Sequence, residues 1–167
     1  MALRLVSPAT DLREPFLDMA REYVDTKDEI DFTDALLNFA SYLERTILEQ
    51  RGLREGRMPC SHFWLLDDQI VIGTSRVRHR LTPELEREIG HVGYDIRPSQ
   101  RRRGHASTLL RLTLDRAREL DLSGVWIICD SDNLASVATA ERCGGLLHSE
   151  LISERTGAPI RRYWTVL

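Results

Sequence analysis

The chain has 167 residues, a net charge of −3, and 42% hydrophobic and 29% charged residues. That is enough for one sizeable core, and the balance excludes a disordered polar chain and a broadly basic nucleic-acid surface. No apolar run approaches the roughly 20 residues of a membrane span. The first ten residues lack the apolar stretch of a secretory leader. The expectation is one domain over residues 1–167, cytoplasmic, with neither a nucleic-acid nor a membrane partner. Cys60, Cys129 and Cys143 are odd in number and show neither CxxC spacing nor paired histidines, so reduced thiols and no metal site are expected.

In chain order, residues 3–6 alternate and stop at Ser7-Pro8, a first strand. Leu12, Phe16, Leu17, Ala20, Tyr23 and Val24 mark one helix face, and residues 25–31 form a charged connector. Thr33 or Asp34 offers a cap for a second helix, with its stripe at Leu36, Phe39, Ala40, Leu43 and Ile47. Residues 50–59 contain two glycines, a proline and mixed charges, and read as a loop. Strands at 63–66 and 70–78 make a hairpin through 67–69, and 82–89 is an acidic connector. Val92, Tyr94 and Ile96 alternate in a strand that must end near Arg97, because Pro98 has no N–H for a ladder. From Ala106 onward, Leu109, Leu110, Thr113, Leu114, Ala117 and Leu120 fall at helical spacing. Residues 125–129 are almost continuously apolar, as in a strand covered on both faces. A helix over 130–140 follows, then strands at 146–153 and 160–166 with a turn at 155–159.

The turn before the long helix carries the chemistry. A helix that opens in arginine-rich, glycine-containing sequence brings together unpaired N–H groups, the positive end of the dipole and cationic side chains, which suits a phosphate or diphosphate. Neither GxxxxGK[ST] nor GxGxxG is present there. Arg101-Arg102-Arg103-Gly104-His105-Ala106 instead resembles [RQ]-x-x-G-x-[GA], the acetyl-CoA signature of the GNAT superfamily of N-acetyltransferases. The order β-α-α-β-β-β-α-β-α-β-β is also similar to that family, over nearly the whole chain. The resemblance implies a mixed-sheet α/β fold, acetyl-CoA as cosubstrate and a small-molecule or peptide amine as acceptor. The two helices after the first strand would border the acceptor. A homodimer, frequent in the superfamily, is compatible with the chain. The backbone of Tyr94, Asp95 and Ile96 would pair with the pantetheine arm, and one N–H there would polarise the thioester. Backbone amides of Arg101, Arg102, Arg103, Gly104, His105 and Ala106 would hold the diphosphate, with Ser107 or Thr108 assisting.

Asn133-Leu134-Ala135-Ser136 through Gly144-Gly145 resembles a second segment of the family, N-x-x-[AS]-x-x-x-Y-x-x-x-G-F. Residues 133, 136 and 140 share a helix face, which in the family looks onto the thiol end of the cofactor. Asn133 then reads as a cofactor contact, or as a helix N-cap. Two positions depart from the pattern: Ala140 stands where relatives carry an acid tyrosine, and Gly145 where they carry phenylalanine. Alanine donates no proton, so Ser136, directly or through water, is the candidate to protonate the thiolate. For the base that deprotonates the amine, His91 ranks first for its reference pKa near 6.5, followed by Glu88 and Glu84, with Asp95 also in reach. A CoA-binding module without turnover, and a nucleotide-phosphate binder unrelated to CoA, remain as alternatives. The Glu141-Arg142-Cys143-Gly144-Gly145 ending and the strand Gly90-His91-Val92-Gly93-Tyr94-Asp95-Ile96-Arg97-Pro98 also resemble a less-characterised bacterial branch of the family.

Overall fold

The computed structural model describes residues 3–24, 26 and 30–167. The expected connector at 25–31 therefore lies largely outside the described residues. Seven strands form one sheet: β1 (Arg4–Val6), β2 (Cys60–Asp67), β3 (Ile70–Arg78), β4 (Val92–Ile96), β5 (Gly124–Asp130), β6 (Leu146–Ile152) and β7 (Pro159–Val166). Their spatial order is β1-β2-β3-β4-β5-β7-β6. All neighbours run antiparallel except β4 and β5, which are parallel. The α-helices among the described residues are α1 (Arg13–Arg21), α2 (Thr33–Leu37), α3 (Phe39–Gln50), α4 (Pro83–Glu88), α5 (His105–Arg118) and α6 (Leu134–Arg142), with 3-10 turns at Thr10–Leu12 and Pro98–Gln100. This is the mixed α/β order expected from the sequence, with two additions.

The first addition is α4, where an acidic connector was expected. Thr82 caps it by accepting the Leu85 N–H at 3.2 Å, and Pro83 fills the first turn, where its missing N–H is no loss. The second is a break at Asn38, whose extended backbone divides the expected second helix into α2 and α3. The cap of α3 is Asn38 itself, which accepts the Ser41 N–H at 3.1 Å. Neither Thr33 nor Asp34 caps α2; Thr33 N–H donates to Asp31 at 2.7 Å. The break also rotates the stripe. Ala35, Phe39, Leu43 and Thr46 are buried, whereas Ala40 and Ile47 are exposed.

One face of the sheet is covered by α1–α3. There Phe16 stacks on Trp64 with ring centroids 4.3 Å apart, and Met19, Phe39, Leu66 and Val71 close around them. The other face is covered by α5 and α6, with Leu109, Leu110 and Leu114 packed among Leu65, Ile72, Val77, Val92 and Ile127. Between β2 and β3 the register jumps from Leu65↔Gly73 to Leu66↔Val71, leaving Ile72 as the extra residue of a bulge. Beyond it Ser75 and Val77 face α5, so Arg76 and Arg78 face the opposite side. Double-faced burial of β5 does not hold: Val125 and Ile127 are covered, but Trp126 and Ile128 are half-exposed, Ile128 because a groove lies over it and Trp126 because it is shielded only by Trp164, His148 and Arg162.

Candidate active site

β4 and β5 pair in register only at Val92↔Ile127 and then separate. The phase of the β3–β4 ladder is set at its ends, where Arg78 N–H donates to the His91 carbonyl and Arg97 N–H to the Ile72 carbonyl. Alternate residues of an antiparallel strand turn their amides to opposite sides. Gly93 and Asp95 therefore face β3, and Tyr94 and Ile96 face the gap. The Ile96 carbonyl accepts Arg101 Nε–H at 3.0 Å, which folds the basic turn back onto the end of the strand.

The turn then enters α5 with Arg102 and Gly104 both in the left-handed region, at φ 59° and 81°. No side chain caps α5. Its first amides are open to a ligand and carry the positive end of the helix dipole. A cleft of about 580 Å³ runs from this helix start to the splayed strands. Tyr94, Asp95, Ile96, Arg101, Arg102, Gly104, His105, Ala106 and Ser107 line it, with Asn133, Ser136, Thr139 and Arg142 on the α6 side. Arg103 is exposed and is not part of this lining. Arg142, which the sequence motifs did not single out, adds a cation to the far wall.

A second cleft of about 590 Å³ is lined by Arg76, Arg78, Glu88, Gly93, Ile128, Cys129, Asp130 and Arg155. Tyr94, Asp95, Asn133 and Ser136 belong to both clefts, so the two meet where β4 leaves β5. One side thus offers amides and cations, and the other an open groove across the sheet.

The family model of the acetyltransferase (GNAT) domain matches residues 3–145. The chain belongs to this acetyltransferase family. Solved GNAT structures share its fold at low identity. RimL, a ribosomal L7/L12 alpha-N-protein acetyltransferase in complex with coenzyme A, is 17% identical with a TM-score of 0.75, over 100% of this chain and 95% of that one. The microcin C7 self-immunity acetyltransferase MccE, in complex with acetyl-CoA and AMP, is 15% identical with a TM-score of 0.73, over 99% and 92%. A chimera of spermidine N-acetyltransferase SpeG from Vibrio cholerae and hSSAT is 17% identical with a TM-score of 0.69, over 99% and 96%. None of the curated proteins matches the sequence.

Within this GNAT domain the candidate catalytic residues are dispersed. His91 lines neither of the two clefts. Its Nδ1 accepts the Trp126 N–H at 3.0 Å, which commits that lone pair, and burial lowers its pKa. Glu88 is buried and anchors the β6–β7 connection, accepting the Ser153 hydroxyl at 2.6 Å and the Glu154 N–H at 3.3 Å. The Ser153 bond, against burial and with help from Glu154 and Arg87, keeps its carboxyl below the ordinary value. Glu84 lies on the exposed side of α4 and lines a separate groove of about 540 Å³. Asp95 and Ser136 are at the junction itself.

On α6, Asn133 is the N-cap: its Oδ1 accepts the Ser136 N–H at 3.1 Å, which leaves its amide nitrogen on the clefts. The shared face of 133, 136 and 140 does not extend to the end of the helix. Ala140 is wholly buried in the core and turned away from the cleft, whose α6 wall is formed by Ser136, Thr139 and Arg142. A tyrosine nonetheless reaches this region from another element. Tyr94 leans from β4 toward α6 and donates its hydroxyl to the Ser136 carbonyl at 3.3 Å. Burial raises its pKa above the ordinary value near 10, so the phenol is protonated at neutral pH with a wide margin.

Proposed function

We propose that the chain transfers an acetyl group from acetyl-CoA to an amine by direct attack within a ternary complex. The junction of the two clefts at the β4–β5 splay carries this reading. The open α5 amides with Arg101, Arg102 and Arg142 suit a diphosphate. A gap edged by the amides of Tyr94 and Ile96 suits an amide-bearing arm laid alongside β4 as an added strand. CoA and acetyl-CoA in the RimL and MccE structures support the same choice of ligand. Acetyl-CoA supplies an activated thioester, and the chain positions it and manages the protons.

A lysine-like amine has a reference pKa of about 10.4 and must lose a proton before attack. Asp95, the carboxylate at the junction, takes it directly or through water. The Tyr94 N–H donates to the thioester carbonyl. As the N–C bond forms and the C–S bond breaks, the Tyr94 hydroxyl supplies the proton that neutralises the departing thiolate. Cys129, beside the junction, has a thiol pushed up to about 11 by burial. It therefore remains protonated and is unsuited to carry the acyl group, which favours direct transfer over a covalent relay.

The test is release of free thiol from acetyl-CoA in the presence of a panel of amines. Amine-dependent release is expected. Saturable CoA binding without release across the panel would leave a binding module, and equal competition by ATP would point to a general phosphate site.

A further inference from the structure

We propose that the acceptor amine also carries an oxyanion, a carboxylate or a phosphate, and that Arg76 and Arg78 bind it. This names the substrate class of the transfer reading above and rests on it. Arg76 and Arg78 are two residues apart on β3, so both side chains emerge on the face turned away from α5. Arg78 is half-buried and donates to the Gly90 carbonyl at 3.1 Å, a neutral partner. Among the described residues neither guanidinium has a carboxylate within ion-pair distance. Burial, and then the neighbouring Arg76 charge, lower the Arg78 pKa. Arg78 is thus half-buried beside the like charge of the exposed Arg76, with no carboxylate in contact among the described residues. The more distant Glu49 offsets this only in part in the free protein, and a bound anion relieves the conflict.

Their position ties them to the reaction. Both line the second cleft, and Arg76 lies flat against Gly93, where a Cβ would meet its Nε at 3.0 Å. Glycine at 93 is what lets the guanidinium lie beside β4, one residue from Tyr94. Both arginines also line the groove behind α4, together with Arg57, His62, Glu49 and Glu84. Glu49 is already paired with Arg54 and His62. The cationic patch made by Arg76 and Arg78 is local: Glu88, Asp95 and Asp130 line other parts of the second cleft, and the chain as a whole is net negative. Against the two guanidiniums a polyamine brings only further positive charge.

The experiment uses matched amines that differ in the anion. Methionine is set against methioninamide for a carboxylate, phosphoethanolamine against ethanolamine for a phosphate, and spermidine serves as the polycation. In at least one pair the anionic member should have a kcat/KM at least tenfold above its neutral partner and above spermidine. Arg76→Gln and Arg78→Gln should each erase that preference by raising KM tenfold or more, with kcat within threefold and CoA affinity unchanged. Arg76→Gln should also leave Tm unchanged or raised, because a repelling charge is removed; a clear fall would assign the arginine a structural role instead. Equal use of both members of each pair, a preference for spermidine, or a preference that survives both variants would overturn the proposal. If no amine releases thiol, the transfer reading fails, and the anion site is judged by titrating methionine and phosphoethanolamine into the CoA-saturated protein. Saturable binding lost in the variants then sustains the site, and absence of binding removes it.

Discussion

Glu22, just after α1, clamps the turn that follows β4. Its Oε1 accepts Arg97 Nε–H at 2.9 Å and the Ser99 hydroxyl at 2.8 Å, and its Oε2 accepts the Ser99 N–H at 2.9 Å. Arg97 also donates to the Val71 carbonyl at 3.2 Å, so α1, β3 and the basic turn share one polar knot. The aim of the α5 amides therefore depends on a residue 75 positions earlier in the chain. Glu22→Gln should lower stability by about 1–2 kcal/mol and weaken CoA binding severalfold. Burial pushes this carboxyl up, but Arg97 and Ser99 more than offset it and its pKa ends below the ordinary 4.5. A depressed folded-state pKa gives stability that is full above the unfolded value and lost as pH falls through the folded one. Melting curves of the two proteins should differ at pH 7 and converge only once the pH has fallen below 4.5 and through the depressed folded-state pKa.

Tyr94→Phe removes a hydroxyl and leaves the β4 backbone in place. If that hydroxyl is the acid, kcat should fall at least tenfold while CoA affinity measured by titration stays within twofold. Ala140→Tyr should not restore activity. Ala140 is fully buried, so a tyrosine there overpacks the core and should cost about 3 kcal/mol or more.

Gly104→Ala tests the start of α5. A Cβ at this position meets nothing within 4 Å, so packing is undisturbed, but the φ of 81° disfavours any residue with a side chain. The expected loss of stability is about 1 kcal/mol. The added methyl projects from the turn that lines the cleft at the start of α5, and the Kd for CoA should rise tenfold or more.

Asn133 separates capping from ligand contact. Asn133→Asp keeps an acceptor for the Ser136 N–H, so stability should be close to that of the parent. It replaces the amide donor with a negative charge, and CoA affinity should fall. Asn133→Ala loses the cap as well and should cost about 1 kcal/mol, read by denaturant titration.

The pair between Glu49 and His62, 2.7 Å apart, ties α3 to β2. Burial disfavours both charges, yet the hydrogen bond with His62 and the Arg54 contact hold Glu49 near 2, and contacts with Cys60 and Glu49 raise His62 to about 9. Its contribution should be lost on the acid side as pH falls from 4.5 toward 2. On the alkaline side it should be fully present below 6.5 and lost as pH rises through about 9. Glu49→Gln should cost about 2 kcal/mol at pH 7, a difference that narrows at both extremes.

Much of the scaffold was legible because it rests on local signals. The stripe from Leu109 to Ala117 needs only helical period, Pro98 can only end a strand, and Gly104 marks a turn wherever it is placed. Even α4 was legible in Thr82-Pro83-Glu84, an N-cap, a first-turn proline and an acidic first turn, although its length made it read as a connector. The break at Asn38 is less visible, since the apolar spacing runs on through it.

By itself the sequence determined the order of the seven strands, the basic turn and the helix that starts behind it, because each follows from the conformational limits of a few adjacent residues. Only the tertiary structure decided which side chains meet. The bulge at Ile72 sends Arg76 and Arg78 to the groove, Ala140 sinks into the core, and Tyr94 arrives beside Ser136 from 42 positions away. His91 and Glu88 were drawn instead into contacts with Trp126 and Ser153. Such outcomes depend on strand register and on which polar atoms find partners at a distance, and neither is encoded in the spacing of neighbours along the chain.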